Sequence, residues 1–156
     1  MKSLSAALLL IGASITSSLA SAQEIVLTTK MQSYDGNGAY LVIYLTDENG
    51  KYQNTLWVAG KKSKYYKHLS GWARGSRLRS SEYDGITGAS MTSGMTFGVT
   101  VDIADQYIDS GYQIHIDSAV EDMRDHRNDI VVPLTAKGAD IPVTGTGYVK
   151  TFTYSL

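Results

Sequence analysis

The sequence predicts an all-β fold, a two-sheet antiparallel sandwich with a short helix and a long loop inserted between two of its strands. Three observations carry this. Short runs rich in Val, Ile, Thr and Tyr recur along the chain, either alternating in and out or continuously β-branched and aromatic. Clusters of Gly, Asp, Asn and Ser separate them, as turns between strands require. One stretch only, 61–73, changes to helical spacing.

The first run, 24–31, alternates Ile25, Leu27 and Thr29 with Val26 and Thr28. The second, 40–46, reads Tyr-Leu-Val-Ile-Tyr-Leu-Thr and is followed by Asp47-Glu48-Asn49-Gly50. Such a turn sends the chain back through 52–58 as the second arm of a hairpin, with Trp57 in the core. Later strands are expected at 95–103, 112–118, 130–134 and 148–154, with connections such as Asp109-Ser110-Gly111. Between the third and fourth strands, Tyr65, Leu69 and Trp72 fall on one helical face while Lys61, Lys64 and Lys67 lie elsewhere, which predicts a short amphipathic helix. The whole connection, about 60–94, is far longer than a turn needs, and long connections in compact domains are usually functional.

The N-terminus predicts export. Lys2 precedes an apolar stretch at 6–11, and Ala20-Ser21-Ala22 fits the small-residue cleavage rule of a signal peptide over 1–22. The apolar run is interrupted by Gly12, Ser14 and Thr16, short of the ~20 apolar residues of a membrane span, so the mature chain, 23–156, is expected in the periplasm as one domain and not membrane-spanning. The chain has no cysteine, which leaves disulfides and thiolate metal sites out of the account. Its net charge of −1 gives no global field for nucleic acid.

Charge is nevertheless segregated along the chain. Lys61, Lys62, Lys64, Lys67, Arg74, Arg77 and Arg79 occur without an intervening acid, and acids dominate 102–129. Two solvated faces explain this simply; a basic surface that holds a phosphate or steers an acidic redox partner explains it as well. His115, Glu121 and His126 have no spacing that forces convergence on a metal. Ser90, Ser93 and Ser118 have no His/Asp arrangement beside them in the sequence that would mark a hydrolase, and no catalytic residue is assigned.

The informative segment is Asp84-Gly85-Ile86-Thr87-Gly88-Ala89-Ser90. It places a hydroxyl behind a Gly-Ala pair, where little side-chain bulk obstructs an approaching enzyme. The pattern resembles the acceptor motif of the FAD:protein FMN transferases. On that resemblance Ser90 carries covalent FMN through a phosphoester, Asp84 is read by the transferase, and Thr87, Gly88 and Ala89 shape a mobile loop. Tyr83, Tyr66 and Trp72 are the aromatic candidates for contact with the flavin ring; His68 is expected as a surface residue that, near the ring, would help its proton-coupled reduction. The plainer reading gives Gly88 a positive φ in a turn, with Asp84 and Thr87 bonding their own backbone.

Four further stretches extend the resemblance. They are Tyr40 through Tyr52, Asn54-Thr-Leu-Trp-Val-Ala-Gly60, Lys64-Tyr-Tyr-Lys-His-Leu-Ser-Gly-Trp72 and Asp109-Ser-Gly-Tyr-Gln-Ile-His-Ile116. With them, most of the mature chain resembles the bacterial periplasmic family called domain of unknown function 2271. The resemblance implies electron transfer outside the cytoplasm, with a PepSY-type membrane reductase or another redox protein as partner. The Asp47-to-Lys51 turn and the strand after Ser110 also look like those of immunoglobulin-like domains, which implies that type of sandwich. A cofactor-free immunoglobulin-like module that binds a cell-envelope ligand or a protein partner is the alternative to the flavin carrier.

Overall fold

The computed structural model describes residues 20–156. Residues 1–19, and so nearly all of the expected signal peptide, lie outside the described part. The elements run β1 (Ala22–Met31), β2 (Tyr40–Thr46), β3 (Tyr52–Ala59), α1 (Ser70–Ser76), β4 (Thr87–Gly88), β5 (Thr96–Ala104), β6 (Gln113–Ala119), β7 (His126–Pro133), β8 (Val143–Thr144) and β9 (Val149–Ser155). They form two sheets, ordered β5-β1-β9-β8 and β4-β3-β2-β6-β7. This is an all-β sandwich, antiparallel except for the parallel β3–β4 pair.

The strands form where apolar side chains alternate. In β1, Ile25, Leu27, Thr29 and Met31 point inward and are buried, while Val26 is 43% exposed. Gln23, the expected first mature residue, already pairs with Ile103 across to β5. Across the sandwich, Leu41, Ile43, Leu45, Ile114 and Ile116 meet Phe152, Tyr154 and the β1 residues in one core.

β2 and β6 are buried on both faces, which explains why 40–46 reads as a continuous apolar run instead of an alternating one. Their outer faces are covered by the 60–95 connection: Val42, Tyr44, Val58 and Ala119 pack against Tyr66, Leu69 and Trp72 in a second cluster. Sheet two is therefore the middle layer of three. The same cover hides polar residues of β6. Asp117 accepts from the backbone N–H groups of Trp72 and Asn128, each at 2.9 Å, and from the Tyr44 hydroxyl at 3.2 Å. Burial, followed by the Asp117 charge and hydrogen bond, raises the Tyr44 pKa.

His115, beside Tyr44 on that face, has its pKa lowered from 6.5 by burial. The sign follows directly. The unfolded chain takes up the proton first as pH falls, so the stability this site contributes is present above pH 6.5 and is lost as pH drops toward the folded-state value. Thermal melts between about pH 7 and pH 5 should show the parent losing stability more steeply than His115→Gln; parallel curves would contradict this.

Three expectations are corrected. The predicted helix breaks at Leu69 (φ −85, ψ 67) into a 3₁₀ turn, Ser63–His68, and α1. The tighter turn repeats nearly every three residues, so Tyr66, Leu69 and Trp72 go inward and Tyr65 stays half-exposed. β7 begins at His126, four residues before the expected strand. Its polar start is hidden from a hydropathy pattern because the buried Asp129 carboxylate accepts from Ser118 Oγ at 2.5 Å, Gly147 N at 2.7 Å and Val149 N at 3.0 Å. The 84–90 segment is not a free loop, because Thr87–Gly88 is a strand at the edge of sheet two.

Candidate functional site around Ser90

The acceptor-like segment is pinned at both ends. A turn at Tyr83–Ile86 brings Ile86 N to Tyr83 O at 3.2 Å, and here Gly85 carries the positive φ, +83°, that the turn reading gave to Gly88. Thr87 Oγ1 donates to Tyr83 O at 2.8 Å, and Val58 N and Gly60 N donate to Ile86 O and Gly88 O, each at 3.0 Å. Gly88 is glycine for a different reason. A Cβ there would sit 2.6 Å from the Trp57 ring, so only a bare backbone lies this close to the indole.

Beyond Gly88 the chain leaves the sheet for two residues, Ala89 and Ser90, both exposed. It is caught again at once: Met91 exchanges backbone hydrogen bonds with Ala39 at 2.7 and 2.8 Å. Tyr34 clamps that bridge, donating its hydroxyl to Met91 O at 2.7 Å and accepting from Ala39 N at 3.0 Å. Its pKa is raised by burial. Ser90 thus stands on a two-residue arch between fixed points.

The arch opens on a cavity of about 570 Å³, within the range of small-molecule sites. The cavity lies at the end of sheet two, where β2 starts and β6 stops. Tyr40 and Ala119 line it from those strand ends, Lys62, Tyr65 and His68 come from the connection, and Glu121, Met123 and Asp125 from the turn after β6. Gly38 forms the lip beside Ser90, and a Cβ at Gly38 would lie 2.5 Å from Ser90 Oγ. The hydroxyl fits where it does because residue 38 has no side chain.

The expected site residues are divided between two hollows. Asp84, Thr87, Tyr66 and Tyr83 meet at a shallower one of about 320 Å³. Tyr66 and Trp72 are 2% and 0% exposed. Their rings and that of Tyr83 pack edge to face, with centroids 5.0 to 6.1 Å apart, and burial raises the Tyr66 pKa. These three rings do not reach the Ser90 cavity. Its aromatic walls are Tyr40 and Tyr65, with centroids 5.2 Å apart.

The basic residues from Lys61 to Arg79 face solvent; Arg79 pairs with Glu82 at 2.7 Å, and Lys62 lines the cavity. His68 Nδ1 lies 3.0 Å from Asp125 Oδ2. Both residues line the Ser90 cavity, brought there from positions far from Ser90 in the chain. Among the described residues no three His, Cys, Asp or Glu side chains gather as a metal site, and no helix is long and apolar enough to cross a membrane.

Chemically, the site offers an accessible primary hydroxyl, two tyrosine rings, a soft thioether at Met123, one ammonium and several carboxylates. A planar aromatic group tethered at Ser90 fits this set: the Gly38 cradle keeps the oxygen clear of side chains, and the cavity it borders has aromatic walls. A family model described as "Predicted periplasmic protein (DUF2271)" matches residues 22–151. No curated protein and no solved structure matches the chain significantly.

Proposed function

The chain belongs to the DUF2271 family of predicted periplasmic proteins, and from that premise we propose that it is a flavin carrier, with FMN joined to Ser90 and electrons passed to and from a membrane reductase or another redox protein. The observation that carries this reading is the position of Ser90, exposed on its arch, beside Gly38, at the mouth of a cavity walled by Tyr40 and Tyr65.

Attachment is a phosphoryl transfer. The Ser90 oxygen attacks the FMN phosphorus of FAD, the pyrophosphate bond breaks, AMP departs, and the serine proton passes to a base of the transferase. The residues around Ser90 suit a substrate of that reaction. Ala89 and Ser90 lie exposed between β4 and the Met91 bridge, where the hydroxyl can be approached without unpairing the sheet. Asp84, exposed near the turn, is free for recognition. In the finished carrier Tyr40 and Tyr65 would supply aromatic contact to the ring, and Lys62 would offset the charge of the phosphodiester. Bound flavin supplies reversible electron storage, and the covalent tether keeps it with its protein in a compartment where a free cofactor is lost.

Intact mass of protein matured in its own cell envelope tests the reading. The expected result is a gain equal to FMN less one water, mapped to the peptide that contains Ser90. A bare serine in such material overturns it and leaves the cofactor-free binding module, with the same cavity as its ligand site.

A further inference from the structure

Two tyrosines line the cavity at Ser90, and they differ in what their hydroxyls can do. Tyr40 Oη accepts from Lys62 N at 3.3 Å. Tyr65 Oη donates to Glu121 Oε1 at 3.1 Å, and the other oxygen of that carboxylate is held by Asn37 Nδ2 at 2.9 Å. Glu121 is therefore oriented as a proton acceptor for one particular phenol. Tyr44 and Tyr52 also donate to carboxylates, Asp117 and Glu82, but neither borders this cavity.

A phenol that gives up an electron becomes strongly acidic, so electron loss is easy only where a base takes the proton at the same time. The Lys64 ammonium, 4.8 Å from the centre of the Tyr65 ring, sharpens the requirement. It disfavours a second positive charge on the ring, so the electron leaves only if the proton moves to Glu121.

We propose that Tyr65 and Glu121 form a one-electron, one-proton donor to a photoexcited isoalloxazine in this cavity, so that the folded protein quenches the flavin it carries. The inference rests on the carrier reading of Ser90. Tyr65 gives one electron to the excited ring, which is the oxidant, and its hydroxyl proton to Glu121, leaving a neutral tyrosyl radical. Return of that electron and proton restores the starting state, with no net chemistry. Excitation is thereby drained before it can pass to oxygen, which protects a carrier working in an oxidising compartment.

The test begins with intact mass, to establish that each sample carries FMN on Ser90, and then compares flavin fluorescence before and after denaturation. The folded parent should be dim and should brighten several-fold when unfolded. Folded Tyr65→Phe and Glu121→Gln should both be several-fold brighter than the folded parent, and Tyr83→Phe, whose ring lies at the other hollow, should match the parent. Transient absorption of the parent should show a neutral tyrosyl radical that is missing from Tyr65→Phe. Quenching that survives either cavity substitution, or a folded parent as bright as the unfolded one, overturns the inference and leaves the carrier reading intact. Protein with Ser90 bare overturns both.

Discussion

Ser90→Ala is expected to abolish covalent flavin completely while leaving the fold untouched. Ser90 is exposed, and surface changes of this kind usually shift stability by no more than about 0.5 kcal/mol. The comparison is direct: the same melting curve, a mass without the flavin increment, and no fluorescent band on a denaturing gel. Ser90→Thr should keep the attachment, because the nucleophilic oxygen remains. Gly38→Ala separates the hydroxyl from its surroundings. Its added Cβ would lie 2.5 Å from Ser90 Oγ and 3.1 Å from Ser90 Cβ, so the serine hydroxyl must leave its present position. Occupancy of Ser90 should fall in this variant although the acceptor motif is intact. Full occupancy in Gly38→Ala would show that the cradle has no part in attachment.

The strands could be read because hydrophobic periodicity is local. The runs at 40–46 and 52–58 needed no knowledge of their partners, and β2 is found at Tyr40–Thr46 as expected. β4 and β8 have two residues each and carry no period; nothing in Thr87 or Gly88 announces an edge strand. The start of β7 failed for a related reason. His126 to Asp129 look like a loop until Ser118, Gly147 and Val149 bring hydrogen bonds to the Asp129 carboxylate, and those partners are long-range.

The candidate site was legible only at its anchor. Asp84 through Ser90 form a local pattern, but the cavity beside Ser90 is assembled from residues 37–40, 62–68 and 119–125, which no spacing rule connects. An ideal helix put Tyr65 on the packed face and Tyr66 off it; the 3₁₀ turn before Leu69 rotates the face by a residue, so Tyr66 is buried and Tyr65 lines the cavity. Gly38 could not have been found as a neighbour of Ser90 before the Ala39–Met91 bridge was known. The mixed charge of the cavity has the same origin, since the basic connection and the acidic turn meet only in the fold.

Asp117→Ala should be strongly destabilising although it lies outside the apolar core. The carboxylate is fully buried and takes the N–H of Trp72 at the start of α1, the N–H of Asn128 at the irregular start of β7, and the Tyr44 hydroxyl. Alanine leaves those three donors without their acceptor beneath the covering connection, where a stranded buried donor costs roughly 1–3 kcal/mol. Partial rearrangement reduces the sum to about 3–5 kcal/mol, a fall in Tm on the order of 10–20 °C for a domain of this size. Gly71 shows how closely the parts fit, since a Cβ there would lie 2.6 Å from the Tyr44 hydroxyl and 2.8 Å from Asp117 Oδ2. The damage should have a location as well as a size. Asp117 ties α1 to sheet two, so hydrogen exchange across 61–79 should accelerate before the strands of sheet one loosen, and proteolysis should begin in that connection. Lys62, Tyr65 and His68 form one wall of the Ser90 cavity from the same segment. Flavin attached at Ser90 in Asp117→Ala should therefore be as abundant as in the parent but more exposed to solvent, because β4 is held by β3 and not by α1. Uniform exchange throughout the chain, with no early opening of 61–79, would refute the assignment of Asp117 as the tie between the cover and the sheet.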